Sequence, residues 1–454
     1  MQNYHFIAIG GIGMSGLAKY LLEQGYSVSG SDVSASKYML ELEKLGAKVH
    51  VGHDENNLPD NSIVVVSSAI KDNNPELQKA KKLGMKIYHR SDLLKEISEK
   101  SECFIGFAGC HGKTTTSGMA SYVLEKSSYC PSYVVGGILP EINTNGKFSS
   151  NQVFVAELDE SDGTILKYLP DICVINNLDE DHVDFYTNGV DSIVEVFNKF
   201  ISKLKPSAKV LINADCEHNL RLVGKPFVTY SIDSDADYKA ENIVLGAGFI
   251  EFDLYYWGSF VVHLSTKLIG RHNVYNTLAV AAALIEAGYD IDKLKDAFKT
   301  FTGMKRRFQF VGEVKGALIY DDYAHHPTEV KALLSSLNAF DNKNIIAVFQ
   351  PHRYTRLQKF WKEFIEALKP VKNIVITDVF AASENEIEGV NSEILVRECI
   401  KEGVSARYIK GSMSDVAKCL YPELTANDVV ISIGAGSVTQ LGPELLKLYN
   451  NNKD

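Results

Sequence analysis

The sequence predicts three α/β domains in series, each built on a mostly parallel β-sheet. Short apolar, β-branched runs alternate with helical patterns along the whole chain, which is typical of parallel sheets covered by helices. The length of 454 residues exceeds what one hydrophobic core usually holds. Polar residues 95–102 and basic residues 305–307 interrupt the pattern, so we place the domains at residues 1–98, 99–308 and 309–454.

The elements of each domain follow from the apolar pattern. The predicted strands are residues 4–10, 26–31, 62–66, 103–108, 153–156, 172–176, 210–213, 317–320, 345–349, 373–377 and 429–433. The predicted helices are residues 14–24, 75–83, 114–125, 274–287 and 292–301. Residues 238–268 alternate and are rich in aromatic side chains, which indicates antiparallel strands with one exposed face added to the second domain.

Composition and charge disfavour several classes of protein. The formal net charge of −10 disfavours non-specific electrostatic binding of nucleic acid. The seven cysteines are scattered without a C-x-x-C pair, which favours reduced thiols over disulfides or a thiolate zinc site. We find no secretion signal and no apolar stretch of membrane-spanning length, so we expect a cytoplasmic protein without a membrane partner.

A first glycine motif lies between the first predicted strand and helix. Gly11, Gly13 and Gly16 fit the pattern G-x-G-x-x-G, and Asp32 stands near the end of the second strand. Such glycines let the backbone approach a pyrophosphate at a helix N-terminus. The pattern fits a nicotinamide-dependent oxidoreductase, any other nucleotide that carries a diphosphate, or a tight turn with no ligand.

A second glycine motif opens the second domain. Residues 109–116 read Gly-Cys-His-Gly-Lys-Thr-Thr-Thr and follow a buried strand, as a phosphate-binding loop does, although Phe107 stands where the loop's usual first glycine would be. Lys113 would reach the β- and γ-phosphates, and the Thr114 hydroxyl would coordinate Mg²⁺. A dehydrogenase needs only the first motif and a kinase or motor ATPase only the second. A ligase that couples ATP to a nucleotide-carried substrate uses both.

Acidic residues follow two strands of the second domain. Glu157, Asp159, Glu160 and Asp162 come directly after the strand 153–156, and His182 lies among acids after the next strand. Carboxylates at the ends of strands that neighbour a phosphate loop are typical magnesium ligands. A solvated acidic loop and a structural histidine are the alternatives.

Histidines and arginines end two strands of the third domain. Residues 321–328 read Asp-Asp-Tyr-Ala-His-His-Pro-Thr, and residues 350–356 read Gln-Pro-His-Arg-Tyr-Thr-Arg. Open α/β sheets bind ligands at the carboxyl ends of their strands, and paired arginines suit a carboxylate or a phosphate. A zinc site at His325 and His326 is disfavoured because adjacent histidines rarely face one metal.

With these motifs the chain resembles the Mur ligase family, and the matches run in order along nearly the whole chain. They are residues 10–16, 109–116, 157–162, 181–184, 270–276, 306–308, 321–328, 349–353 and 434–436. The resemblance implies a Rossmann-like N-terminal domain that binds a UDP-sugar, a central phosphate-loop ATPase and a Rossmann-like C-terminal domain that brings the amino acid.

The resemblance also implies a role for each matching residue. The ATP-binding set would be Gly109, His111, Gly112, Lys113, Thr114, Thr115, Asn273, Asn276, Arg307 and Asp322. The substrate-binding set would be Gly11, Ile12, Gly13, Met14, Ser15, Asp32, Ser67, His325, His352, Arg353 and Arg356. The metal ligands would be Thr114, Glu157 and His182, and the catalytic residues Lys113, His182, His325 and His352.

The activity that the resemblance implies is the joining of L-alanine to the lactyl carboxylate of UDP-N-acetylmuramate through an acyl-phosphate, in peptidoglycan precursor synthesis. Residues 323–327 and 350–353 point to this branch of the family. ATP and magnesium, with two ions, are the expected cofactors, and a monomer or weak homodimer is the expected assembly. A ligase that attaches a preformed peptide to the same sugar is the closest alternative.

Overall fold

Three β-sheets follow one another along the chain in the computed structural model, which describes residues 2–181, 185–186, 188–340 and 342–452. The three sheets correspond to the three α/β domains that the alternation predicts. Among these described residues, no helix has both the length and the apolar character that crossing a membrane requires.

The first sheet has five parallel strands in the order β3-β2-β1-β4-β5. Its strands are β1 (Asn3–Ile7), β2 (Ser27–Asp32), β3 (Lys48–Val51), β4 (Ser62–Val66) and β5 (Ile87–His89). Its helices are α1 (Ile12–Glu23), α2 (Lys37–Lys44), α3 (Pro75–Lys82) and α4 (Arg90–Ser98).

Helix α4 corrects the first half of the prediction that residues 95–102 are a polar separator. Leu93, Leu94 and Ile97 are buried at helical spacing, so residues 95–98 belong to a helix and only residues 99–102 lie between α4 and β6. A capping box also fixes the start of α4, since the side chain of His89 accepts from the backbone and Asp92 accepts from the His89 amide.

The second sheet has ten strands in the order β15-β14-β13-β12-β11-β10-β6-β9-β7-β8. Its strands are β6 (Cys103–Ala108), β7 (Ser132–Leu139), β8 (Thr144–Lys147), β9 (Val153–Glu157), β10 (Ile172–Ile175), β11 (Lys209–Asn213), β12 (Phe227–Ser231), β13 (Tyr238–Gly246), β14 (Phe249–Tyr256) and β15 (Ser259–Thr266). Its helices are α5 (Lys113–Lys126), α6 (Val190–Lys203), α7 (Arg271–Glu286) and α8 (Lys295–Thr300). Strand β6 lies between β9 and β10 and pairs with both in parallel, so the carboxyl ends of these three strands meet at one edge.

The third sheet has six strands in the order β16-β17-β21-β18-β19-β20, and all neighbours are parallel except β16 and β17. Its strands are β16 (Gln309–Val314), β17 (Ala317–Asp322), β18 (Asn344–Phe349), β19 (Ile374–Ile376), β20 (Ala406–Tyr408) and β21 (Asp428–Ile433). Its helices are α9 (Pro327–Ser336), α10 (Tyr354–Lys359), α11 (Trp361–Leu368), α12 (Ser392–Lys401), α13 (Met413–Leu420) and α14 (Leu441–Asn451).

Backbone contacts divide the chain into two compact units. The first unit runs through Ile243 and includes Phe252–Thr266 and Tyr275–Thr302, and the second comprises Val244–Glu251, Lys267–Val274 and the chain from Gly303 onward. The first sheet therefore shares a unit with most of the second sheet. The three domain boundaries given above remain a prediction.

A close backbone approach joins the first two sheets inside the first unit. A Cβ atom on Gly146 of β8 would lie 2.3 Å from the carbonyl oxygen of Gly16 on α1, so only glycine fits there. The buried Asn145 side chain donates to the Ile12 carbonyl at 2.6 Å and to Ser15 Oγ at 3.1 Å. One apolar cluster continues across this contact, with Tyr20 edge-on to Phe154. Gly16 thus serves the docking of α1 on β8.

Candidate active site

The loop between β6 and α5 has the conformation that its glycines predict. Gly109 and Gly112 adopt φ angles of 115° and 83°, a region that disfavours side chains. A Cβ atom on Gly112 would lie 2.6 Å from Asn276 Oδ1 and 3.1 Å from Asn176 Nδ2. The His111 amide donates to Asn177 Oδ1 at 2.8 Å. Amide side chains that follow β10 and one from α7 therefore surround the loop, and Asn276 lies against its backbone.

Lys113 opens α5 and is buried inside this loop. Its ammonium donates to the carbonyls of Gly109 at 2.6 Å and Cys110 at 3.2 Å, and to Glu160 Oε1 at 2.9 Å. Burial lowers the pKa of Lys113, but the nearby carboxylates, Glu160 first, raise that pKa above its usual value. The lysine is thus a permanent positive charge beside the backbone of the loop, as binding of phosphate requires.

Oxygen ligands for a metal lie directly beside the lysine. Thr114 Oγ1 donates to Glu157 Oε2 at 2.9 Å, and the Gly136 amide donates to the same oxygen at 3.0 Å. A hydroxyl and a carboxylate in contact are the hard oxygen donors that Mg²⁺ prefers, so the two residues fit the predicted metal site. Thr115 is buried on α5. The predicted third ligand, His182, lies outside the described residues.

Two further acids of this strand end contact residues of the first 98 residues of the chain. Asp159 is paired with Arg90 at the start of α4, and Asp162 accepts from Ser68 Oγ at 2.6 Å. Burial raises the pKa of Asp159, but Arg90 and Lys113 lower that pKa well below its usual range. These contacts were not predicted, because Arg90 lies 69 positions away from Asp159 and belongs to no motif.

The first glycine turn is an open helix N-terminus. Helix α1 starts at Ile12, and its cap residue, Gly11, has no side chain that could bond to the first amides of the helix. Asp32 Oδ2 accepts from the Gly10 amide at 2.9 Å, so this carboxylate supports the turn. Arg90 Nη1 would lie 3.4 Å from a Cβ atom on Gly13. Free amides and a nearby guanidinium suit an anion.

The remaining predicted substrate residues of the first unit lie on α1 and after β4. Met14 and Ser15 are buried on α1, where Ser15 Oγ donates to the Ile12 carbonyl. Ser67 follows β4, but its neighbour Ser68 makes the side-chain contacts, to Asp162 and to His89 Nε2 at 3.0 Å.

In the second unit, two arginines enclose the Tyr323 ring. The guanidinium carbons of Arg306 and Arg307 lie 4.7 Å and 5.3 Å from its centroid. Arg306 also donates to the Gly434 carbonyl at 2.8 Å. Arg307 Nη1 lies 3.5 Å from Glu329 Oε1. The predicted ATP residue Arg307 is therefore held by an aromatic face and a carboxylate.

Asp322 ends β17 and is buried. Its two oxygens accept from the amides of Phe308 and Ala324, each at 2.7 Å. Burial raises the pKa of Asp322 to about 6, although Arg307 and the two amides oppose this shift. Asn273 belongs to the same unit and donates to the Ile269 carbonyl at 2.8 Å. Asp322 thus fixes the backbone directly after Arg307 and directly after Tyr323, whose ring lies between the two arginines.

The predicted histidines and arginines of the third sheet lie together. The His352 ring stacks on Phe380 with centroids 5.5 Å apart, and His325 stands edge-on to it at 5.8 Å. Arg356 Nη1 lies 3.5 Å from His352 Nδ1, and Arg353 is paired with Glu384 at 2.7 Å. Burial first, and then Arg356 and Arg353, lower the pKa of His352 to about 4. His352 is therefore neutral at pH 7.

Together these features define an α/β protein with two glycine-rich helix N-termini suited to anions in one unit and a histidine–arginine cluster in the other. Comparison with known proteins identifies the family to which the chain belongs. Residues 3–102 match the Mur ligase family catalytic domain, residues 107–284 the Mur ligase middle domain, and residues 306–436 the Mur ligase glutamate ligase domain. The chain belongs to the Mur ligase family.

Individual relatives agree over the full length. The UDP-N-acetylmuramate–L-alanine ligase of Aquifex aeolicus is 38% identical, with 100% of this chain and 99% of the relative covered. That of Carboxydothermus hydrogenoformans is 40% identical, covering 98% and 96%. The crystal structure of UDP-N-acetylmuramate-alanine ligase from Thermotoga maritima superposes with a TM-score of 0.85 at 27% identity, with both chains fully covered. A murein peptide ligase from Psychrobacter arcticus shares the fold, with a TM-score of 0.71 at 22% identity and 99% of both chains covered.

Proposed function

We propose that this chain joins L-alanine to the lactyl carboxylate of UDP-N-acetylmuramate and converts ATP to ADP and phosphate. The observation that carries this proposal is the pair of phosphate-binding turns in one unit, linked by Arg90, Asp159, Glu160 and Lys113. A ligase that acts on a nucleotide-carried acid needs both turns. The relatives that are 36–40% identical over the full chain carry the name of this activity.

In the first step, the lactyl carboxylate attacks the γ-phosphorus of ATP, which gives an acyl-phosphate and ADP. The free amides of α1 hold the diphosphate of the sugar nucleotide, and the loop 109–113 holds the phosphates of ATP. Lys113 offsets the charge on the transferring phosphoryl group. Catalysis in such transfers rests mostly on positioning and charge neutralisation.

Thr114 and Glu157 would hold magnesium at this site, together with the predicted ligand His182. When bound, the metal supplies positive charge to the phosphate oxygens. Two ions remain the expected number.

In the second step, the amine of alanine attacks the acyl carbon, and phosphate leaves. His352 is neutral at pH 7 because its pKa is lowered to about 4, and Arg353 and Arg356 beside it suit a carboxylate. His325 lies against the same ring. We propose that this cluster binds the alanine carboxylate and the acid to be acylated.

The seven cysteines are free in the structure, which fits the reducing cytoplasm in which we place this activity. We propose a monomer or weak homodimer as the working assembly.

Phosphate release from ATP, measured with UDP-N-acetylmuramate and with or without L-alanine, tests the proposed function. We expect release that depends on alanine and a product heavier by one alanyl residue. Turnover with a tripeptide but not with alanine would instead assign the chain to the peptide-attaching branch. Absence of turnover with either would contradict both assignments.

A further inference from the structure

Two consecutive carboxylates, Asp159 and Glu160, each pair with a cation that lies in or beside one of the two glycine turns. Glu160 Oε1 lies 2.9 Å from Lys113 Nζ in the phosphate loop. Asp159 is paired with Arg90, whose other terminal nitrogen lies beside Gly13 of the glycine turn. No sequence motif included Arg90, and the motif that includes Glu160 suggested a magnesium ligand rather than a partner of Lys113.

The three donors of the Lys113 ammonium are all in use. Two donate to the carbonyls of Gly109 and Cys110, and the third donates to Glu160. Lys113 must therefore give up at least one of these partners to contact a phosphate oxygen. The two carbonyls belong to the same loop as the lysine, so Glu160 is the partner that fixes the ammonium relative to the rest of the sheet.

Glu160 is itself held in place. Its side chain is fully buried, and its carbonyl accepts from the Tyr186 hydroxyl at 2.5 Å. The preceding residue is anchored by Arg90 and by the Ser161 amide, which donates to Asp159 Oδ1 at 3.0 Å. A buried carboxylate fixed on both sides is a rigid support for the lysine.

We propose that Glu160 is a positioning residue for phosphoryl transfer. It holds Lys113 where the ammonium meets the transferring phosphoryl group, and it competes with bound nucleotide for the same ammonium. Asp159, through Arg90, keeps this support in place. The inference rests on the proposed function for its kinetic consequence, but its effect on nucleotide affinity does not depend on the identity of the acid or the amine.

Replacing Glu160 by glutamine removes the charge and keeps the shape. Without the carboxylate, Lys113 is a buried cation that lacks its counter-charge in the free protein, and nucleotide phosphate supplies one. We expect Glu160→Gln to bind the non-hydrolysable ATP analogue AMP-PNP roughly 3- to 10-fold more tightly, because the competing anion is gone. We expect kcat to fall roughly 10- to 100-fold, because the ammonium is no longer held for the transition state.

Glu125→Gln is the matched control. Glu125 lies near the far end of the same helix α5 and is paired with Lys147 at 2.6 Å, so the variant also loses one lysine–glutamate pair. We expect its AMP-PNP affinity and kcat to match those of the wild type. Asp159→Asn is the second test variant and should change both quantities in the same direction as Glu160→Gln, by a smaller factor.

The decisive result is that Glu160→Gln binds AMP-PNP more tightly than the wild type and yet has a lower kcat. A merely structural role for Glu160 would not produce this combination. AMP-PNP affinity is measured without sugar nucleotide or alanine, by calorimetry on the full chain. Weaker binding together with slower turnover in Glu160→Gln or Asp159→Asn, or no change in either quantity, would overturn the proposal. A wild type without alanine-dependent turnover would contradict the proposed function and leave the affinity comparison as the test of Glu160.

Discussion

The ammonium of Lys113 is buried within the loop that surrounds it, with acceptors on every side. Truncating this residue removes the positive charge from the site of phosphoryl transfer. We expect Lys113→Ala to lower kcat by at least about 100-fold, the loss typical for a group that stabilises transition-state charge. The kcat of this variant is measured from its alanine-dependent release of phosphate.

Lys126→Ala is the control for this prediction, since Lys126 ends the same helix and contacts only the Tyr122 ring among the interactions described. Its activity should stay within about twofold of the wild type, because one exposed cation–π contact contributes little. A rate of ligation by Lys113→Ala close to that of the wild type would show that the phosphate loop does not take part in the reaction as proposed.

The Tyr323 ring orders Arg306 and Arg307 through its face and makes no described hydrogen bond through its hydroxyl. We expect Tyr323→Leu to lower kcat/KM for ATP by about 5- to 30-fold, the equivalent of one or two partly buried cation–π contacts. Tyr323→Phe keeps the face and should retain most of the activity. Equal losses in steady-state assays of the two variants would show that the ring face does not position the arginines.

At the residue scale, motifs predicted the positions of Lys113, Thr114 and Glu157, and the structure brings these three together. The partners of Asp159 and Glu160 could not be read from the sequence. Arg90 is 69 positions and Tyr186 is 26 positions from its partner, and such contacts depend on how the sheets pack. His182 lies outside the described residues, so its role as a metal ligand stays a prediction.

At the scale of elements, helix α1 and strand β8 meet backbone to backbone. A Cβ atom on Gly146 would lie 2.3 Å from the Gly16 carbonyl oxygen, and neither backbone can move without displacing its element. We expect Gly146→Ala to destabilise the first unit by roughly 1–3 kcal/mol, as overpacking of a tight contact does. Thermal unfolding would report this as a lower melting temperature.

Gly11→Ala is the control substitution, because its Cβ atom would meet only ordinary contacts of 3.5 Å or more and its φ is −70°. Its melting temperature should stay close to that of the wild type. If Gly146→Ala and Gly11→Ala have the same melting temperature, the close approach of α1 and β8 does not constrain folding.

Some elements were predicted with the right bounds, and others, both short and long, were missed. Strands β4 and β6 have the predicted bounds, since each is a run of five or six residues rich in apolar side chains. Strands β5 and β20 have three residues each and depend on pairing at a sheet edge, which leaves no periodic signal. Residues 95–98 of α4 were taken for part of a separator because three of these four residues are polar.

At the scale of the whole molecule, a buried network under the first sheet makes stability depend on pH. Burial raises the pKa of Glu76, but hydrogen bonds from His5, Ser31 and Asn57 outweigh burial and lower that pKa to about 2. A carboxylate with a lowered pKa stabilises the fold above its ordinary pKa near 4.5, and this contribution is lost as the pH falls toward 2.

We therefore expect the melting temperature of the wild type to fall more steeply than that of Glu76→Gln as the pH falls from about 4.5 to about 2. Glu217→Gln is the control, because that side chain is 87% exposed, and its curve should follow the wild type. Parallel curves for the wild type and Glu76→Gln would show that the network does not set the acid stability.

The central claim for the whole molecule is that both phosphate-binding turns serve one reaction through an acyl-phosphate. The most direct measurement uses UDP-N-acetylmuramate with ¹⁸O in both oxygens of its lactyl carboxylate, together with ATP and L-alanine. The released phosphate is then weighed by mass spectrometry. We predict one ¹⁸O atom in each phosphate, because the carboxylate oxygen that attacks phosphorus leaves with it when the amine displaces phosphate. Phosphate without ¹⁸O, released during alanine-dependent turnover, would contradict the account.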